Sequence, residues 1–354
     1  MDSPTKTEPP FVPLRHTGWA THRTPLWVFA AVIVLIGGVV LVSLSHKPST
    51  AQRAGDLSGY LKDVNTGIES CAGGTRDSMT AFNKVQAGDK GDLKIGDIAL
   101  VYPWLGCGKC ATCLAGDENM CLKPNSVGVY CDGGYADHLT VPHPRYLLDL
   151  KGLDPVTAAP YACSGVTTYS ALKKVEAHFN TPIVIFGAGG LGLMALSLLK
   201  AMGGKGAIVV DIDARKREAA EQAGALATVD GKAPDALEQL ANKAGGPIRA
   251  VIDLVGNAAT TQLGFDCLTK GGKLVVVGLF GGGAPWALPL IPIKAITIQG
   301  SYVGNLRETQ ELLDLVRARK IGPIPVTPMP LAKANEALVD LQKGRLVGRA
   351  VLTP

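Results

Sequence analysis

Aromatic side chains are scarce in this 354-residue chain, 5% of the whole, and charged ones make up only 18%. Histidine is scarcer still: there are six, and none falls between His46 and His138. The formal charge is +5, too mild for a dedicated nucleic-acid binder with its concentrated basic surface. The eight cysteines are too few and too uneven for a secreted disulfide scaffold, because four of them crowd into residues 107–121. No internal repeat or low-complexity block divides the chain. Hydrophobic residues are plentiful at 47%, enough for a large core, and glycine is abundant at 43 of 354. The length suits about two domains.

The amino-terminal quarter reads differently from the rest. Pro4, Pro9, Pro10, Pro13 and Pro25 leave no helical or strand period in residues 1–25, which predicts a flexible polar tail. Leu26 to Leu44 then runs LWVFAAVIVLIGGVVLVSL without a charge. A helix of that length rises about 28 Å, close to the ~30 Å hydrocarbon core of a bilayer. Trp27 stands where an interfacial aromatic would stand. The expectation is a single transmembrane helix at 26–44, with a buried core helix and a cleaved signal peptide as the alternatives. Residues 45–84 read as a polar spacer.

Near residue 85 the texture becomes that of a small β-rich unit, GDLKIGDIALVYPW, with Gly-Asp turns at Gly91-Asp92 and Gly96-Asp97. From Pro182 onward short apolar strands alternate with helices: IVIF at 183–186, a helix from Leu191, AIVVD at 207–211, a charged helix from Ala214, then VIDLV and KLVVVGL. That alternation predicts an α/β fold, a doubly wound parallel sheet covered on both faces.

Two local patterns carry chemistry. Gly187-Ala188-Gly189-Gly190-Leu191-Gly192 follows a strand directly and opens a helix. In that setting the first glycine permits a tight turn, Gly189 lets a pyrophosphate approach the backbone, and Gly192 lets helix and strand pack closely. The helix amino terminus offers unpaired N–H groups to phosphates. Asp211 ends the next strand, where a carboxylate accepts from an adenosine ribose and repels a 2′-phosphate, favouring NAD over NADP. A glycine-rich turn without a ligand is the plainer alternative. The second pattern is Cys107, Cys110, Cys113 and Cys121, spaced C-x2-C-x2-C-x7-C. Four thiolates so close can close a tetrahedron on one zinc ion and leave no place for water, which makes the site structural; disulfides or idle thiols are the alternatives.

Residues from about 85 to 354 resemble the zinc-containing alcohol dehydrogenases of the medium-chain dehydrogenase/reductase superfamily. The likeness rests on YPWLGCGKCATC at 102–113, DGGYADHLTVP at 132–142, ACSGVTTYSALKK at 162–174, the Gly187–Gly192 loop, IPIKAITIQGSYVGNL at 291–306 and VGRAVLTP at 347–354. The resemblance implies a Rossmann-type NAD-binding domain at 163–300, a partial GroES-like domain with a zinc lobe at 85–162, and a segment at 301–354 returning to the latter. It implies structural zinc on Cys107, Cys110, Cys113 and Cys121, and makes Cys163 the last protein ligand of a catalytic zinc. It also places Thr167 near the nicotinamide, the Gly187–Gly192 loop at the dinucleotide, Asp211 and Lys216 at the adenosine ribose and Arg349 at the pyrophosphate. The implied reaction moves a hydride between NAD and a primary or aromatic alcohol or its aldehyde.

One part of the family pattern is absent. The family's first zinc ligand is a Cys followed by a Ser or Thr, and its second lies in a Gly-His-Glu; this chain has no Gly-His-Glu, and Cys71 is not in a Cys-x-Ser/Thr setting. His138 and His143 read as surface or turn histidines rather than replacements. The expectation is therefore an NAD-dependent alcohol dehydrogenase impaired as it stands. The alternative is a membrane-tethered module that binds NAD and zinc without turnover, and a zinc-independent reductase is a third reading. A small-molecule alcohol or aldehyde is the expected partner, with no nucleic acid, and a homo-oligomer is left open. The span at 26–44 would make this a single-pass membrane protein, with a cytoplasmic carboxy-terminal part if it is to reach NAD.

Overall fold

The computed structural model describes Leu93 and residues 97–353, apart from Asp137, Pro285, Lys320 and Pro323. The expected tail, the span at 26–44 and the whole spacer at 45–84 lie outside those residues. The membrane placement is corrected to what the structure shows: no helix among the described residues is long and apolar enough to cross a membrane.

The chain enters through β1 (Ala99–Val101), which later pairs antiparallel with β2 (Leu147–Asp149). Between them lies the cysteine segment with one short helix, α1 (Ala111–Leu114). Asp154 then caps α2 (Pro155–Ala158), accepting from the N–H groups of Val156 and Thr157. Helix α3 (Ser164–Lys173) follows and buries most of its length.

The larger unit is a six-stranded parallel sheet. Its elements in chain order are β3 (Ile183–Phe186), α4 (Gly190–Ala201), β4 (Ala207–Asp211), α5 (Ala214–Gln222), β5 (Ala227–Asp230), α6 (Ala236–Ala244), β6 (Ala250–Asp253), α7 (Ala258–Cys267), β7 (Lys273–Val276), α8 (Leu290–Lys294) and β8 (Thr297–Gly300). The strand order is β5-β4-β3-β6-β7-β8 and every neighbouring pair is parallel. The central strands are short apolar runs because both faces are covered: all four residues of β3 and all four of β6 are buried. Helix α4 is apolar on nearly every side and buries nine residues between sheet and neighbours. Helix α5 covers an outer edge, and among its residues only Ala220 is buried.

Strand order reverses between β4–β3 and β3–β6, so the carboxyl ends of β3 and β6 open a crevice between them. In doubly wound sheets that switch point is where ligands bind. After β8 comes α9 (Leu306–Arg319), which sends Leu312, Leu313 and Val316 into the main core. A separate parallel pair, β9 (Val326–Pro330) and β10 (Arg349–Thr353), flanks α10 (Ala334–Gln342).

Candidate functional site

The glycine turn sits at the switch point. Gly187 takes φ +98° directly after β3, and Gly189 is the amino-terminal boundary of α4 with no side chain to cap it. The free N–H groups of the first turn therefore face the crevice. A Cβ at Gly192 would stand 2.0 Å from the Gly187 carbonyl oxygen, so no larger residue fits; a Cβ at Gly189 would meet nothing within 4 Å, which leaves its backbone open to a ligand. Asp211, at the end of β4, accepts from the Ala188 N–H at 2.8 Å through Oδ2 and from the Asp213 N–H at 2.9 Å through Oδ1. Its carboxylate is thereby fixed beside the turn. Lys216 is half-buried in the first turns of α5, and Leu191 is buried within α4.

Arg349 reaches the same turn from the far end of the chain. It opens β10, it is 3% exposed, and a Cβ at Gly190 would fall 2.4 Å from its Nη1. Burial lowers its pKa to about 10, with the neighbouring Cys163 opposing the shift. A buried cation over the first turn of α4 suits an anionic ligand.

Cys163 lies at the start of α3, and burial pushes its thiol up to about 11, against the opposing field of Arg349. It borders a cavity of about 50 Å³ with Thr167, Trp104, Leu191, Val277 and Ser301 among its walls. Most of that lining is apolar. Ser301 Oγ is buried with no hydrogen-bond partner, so an atom of a bound molecule would complete it. Trp104 Nε1 donates to the Ala162 carbonyl at 2.9 Å and fixes the indole beside Cys163. Trp104 and Ser301 lie inside quoted family motifs, but nothing in their linear context gave them a role; only the fold brings them together.

The four lobe thiols form the second constellation. Their Sγ atoms all lie within 4.8 Å of one another, with Cys110–Cys113 at 3.4 Å, Cys110–Cys121 at 3.8 Å and Cys107–Cys113 at 3.9 Å. A tetrahedron of Zn–S bonds near 2.3 Å has edges of about 3.8 Å, so the donors fit a zinc ion. Backbone N–H groups of Lys109 and Cys110 bring the Cys107 thiol down to about 6, while burial pushes Cys113 up to about 12. Glu118 ties the lobe to the β unit: its carboxylate accepts from the Tyr146 hydroxyl at 2.7 Å and from Arg145 at 2.5 Å, and Arg145 also donates to that hydroxyl. The sequence reading missed this buried network. Glu118 looks like any loop acid until Tyr146 is placed across from it.

Among the described residues the lobe is the one group of three or more metal-ligating side chains, and Cys163 belongs to no such group. His138 is exposed, and His143 accepts the Arg145 N–H through Nδ1 in a local turn.

The profile for the alcohol dehydrogenase GroES-like domain matches residues 80–151, and that for the zinc-binding dehydrogenase domain matches residues 190–318. An NAD-dependent alcohol dehydrogenase of Sulfurisphaera tokodaii is 39% identical over 261 residues, 73% of this chain and 75% of the relative. The chain belongs to the zinc-containing alcohol dehydrogenases. Among solved structures, the alcohol dehydrogenase of Aeropyrum pernix is similar with a TM-score of 0.69 and 32% identity, covering 77% of this chain and 80% of that one. An acetophenone reductase from Geotrichum candidum, solved in complex with NAD, gives a TM-score of 0.66 and 27% identity over 76% of this chain and 78% of that one. NAD and zinc are the cofactors of this family. The comparisons lend no support to impaired catalysis or to a membrane-tethered module.

Proposed function

We propose that this chain is an NAD-dependent dehydrogenase acting on a small alcohol, primary or aromatic, or on its aldehyde. The observation that carries the reading is the open Gly189 backbone at the switch point, flanked by Asp211 on one side and buried Arg349 on the other. NAD supplies the hydride acceptor. In this proposal Gly187, Gly189, Gly190, Leu191 and Gly192 shape the phosphate turn, and Arg349 offsets the pyrophosphate charge. Asp211 and Lys216 hold the adenosine ribose, and Asp211 selects against a 2′-phosphate. Thr167 and the apolar cavity beside it seat the nicotinamide end and keep water out.

Cys107, Cys110, Cys113 and Cys121 would hold the structural zinc, which supplies folding energy to the lobe. A catalytic zinc is a different matter. An open site needs three protein ligands, Cys163 supplies one, and the chain has no Gly-His-Glu. That ligand shortage favours a second reading: a protein that binds NADH well and turns over alcohols slowly. In this proposal residues 85–162 are a partial GroES-like unit, 163–300 the NAD-binding domain and 301–354 the returning segment.

The test is NADH titration of the purified full chain, followed by zinc analysis and turnover with primary and aromatic alcohols. Saturable NADH binding that Asp211→Ala weakens is expected. Absence of NADH binding would overturn the reading. Turnover that tracks a second zinc per chain would dismiss the slow-turnover version.

A further inference from the structure

Two contacts join the cysteine lobe to the loop that leaves β8, Ser301–Asn305, and Tyr102 and Trp104, just ahead of the lobe, add two more. The Asn119 side-chain amide donates to the Tyr302 carbonyl at 3.0 Å. The Asn305 side-chain amide donates to Asp117 Oδ1 at 2.9 Å. The buried Tyr102 hydroxyl donates to the Gly304 carbonyl at 2.9 Å. The Trp104 and Tyr302 rings meet edge to face with centroids 6.0 Å apart. Asp117 and Asn119 lie between Cys113 and Cys121, inside the segment that the thiolates close.

The loop they hold is strained. Val303 has φ +41°, a left-handed conformation that a β-branched residue adopts only under compulsion. Such backbone persists where its surroundings over-determine it. The same loop contributes Ser301, Tyr302 and Val303 to the cavity beside Cys163 and Thr167. Its far end is anchored independently, since Asn305 Oδ1 accepts the Glu308 N–H at 2.8 Å and Glu308 accepts the Asn305 N–H at 3.0 Å, which fixes the start of α9.

We infer that the zinc lobe clamps the cavity wall, and that Asn119 and the Asp117–Asn305 pair are positioning residues for whatever sits against Ser301–Val303. This rests on the NAD reading for the identity of that occupant, the nicotinamide end of the dinucleotide. Asp117 and Asn119, fixed by the lobe that the four thiolates would close on zinc, hold the strained loop in the shape the cavity needs. The adenosine end, held at Asp211 across the sheet, is independent of it.

Asn305→Asp tests the clamp without uncapping α9, because aspartate still accepts the Glu308 N–H. It sets a carboxylate against Asp117 and so breaks the bond to the lobe. The double variant Asp117→Asn/Asn305→Asp rebuilds the pair with donor and acceptor exchanged. Three quantities are read on the full chain: zinc per chain, amide hydrogen exchange over 301–305, and affinity for NADH against ADP-ribose, which lacks the nicotinamide. In Asn305→Asp exchange over 301–305 is expected to rise and NADH to weaken about fivefold, the size of one hydrogen bond. ADP-ribose and zinc content stay unchanged, and the double variant restores the wild-type values. Removing zinc with a chelator should reproduce the split between the two ligands. Unchanged exchange in the variant and after chelation would overturn the clamp, as would equal weakening of NADH and ADP-ribose. If the wild type binds neither ligand, the NAD reading falls, and the exchange data alone still decide the clamp.

Discussion

In the six-stranded sheet every residue of β3 is buried, and its neighbours β4 and β6 contribute Ala207, Ile208, Val209, Ala250, Val251 and Ile252 at 0% exposure. In the segment 107–121 the buried residues are Cys113, Glu118 and Cys121, while Leu114 and Met120 point into solvent. One region excludes water over a broad apolar area, and that burial is its main stabilisation. The other has no apolar centre, so its shape depends on four sulfurs and one buried carboxylate. The sheet should therefore fold from hydrophobic pattern alone, and the lobe should not.

The largest effect follows from taking away the metal chemistry. Cys110→Ser removes one of four thiolates from a site where structural zinc is worth ~10–16 kcal/mol in small zinc domains. Zinc per chain should fall from about one to near zero, and amides across 107–121 should exchange freely while those of β3 and β6 stay protected. Full zinc content in the variant, or loss of protection in the sheet as well, would break the contrast between the two regions.

The sheet has its own point of failure, and it is steric. Gly192→Ala puts a methyl group 2.0 Å from the Gly187 carbonyl. The obstacle is backbone, so no rotamer change relieves it. A cost of about 3 kcal/mol is expected, the upper range for overpacking, with loss of NADH binding and no change in zinc content. A variant that binds NADH normally would show that the turn can be rebuilt around a side chain.

Both regions were legible in the sequence only where their pattern is local. The parallel sheet could be read from IVIF and AIVVD because a strand buried on both faces must be apolar throughout. The glycine turn could be read because its strand-to-helix setting was local. The cysteine spacing was equally local. Trp104, Ser301 and Tyr302 could not be read in this way, since nearly two hundred residues separate Trp104 from the loop it meets. The same holds for Glu118 and Tyr146, which join across the lobe. The apolar run at 26–44 lies outside the described residues, and its length and lack of charge are necessary for a membrane span without establishing one.

Glu118→Ala sharpens the lobe side of the comparison. It leaves the Tyr146 hydroxyl without its acceptor in a buried setting, where burial pushes the tyrosine to about 12. It also removes the acidic partner of Arg145, whose side chain is 47% exposed and can turn to water. The hydroxyl proton left without an acceptor dominates, for about 2 kcal/mol of lobe stability. Tyr146→Phe should cost less, because Arg145 still neutralises the carboxylate. If the two variants are equal in denaturation followed at Trp104, the carboxylate's charge is immaterial.

The smallest effect is expected where the sheet carries ligand binding rather than fold. Asp211 ends a buried strand, yet its carboxylate is only partly covered and its two acceptor bonds go to local N–H groups of Ala188 and Asp213. Asp211→Ala frees those N–H groups at a site water can reach, so little stability is lost. Ribose binding loses an acceptor, and the glycine turn loses the tether at Ala188 that holds it beside β4. NADH affinity should fall about tenfold, near 1.4 kcal/mol. NADPH, which the carboxylate would repel in the wild type, should lose much less or gain. Calorimetry of both nucleotides against wild type and variant reads the two effects together. Parallel losses for NADH and NADPH would mean that Asp211 acts on the turn alone and does not meet the ribose. A large fall in melting temperature would mean that this end of the sheet, like the lobe, depends on a single polar side chain for its shape.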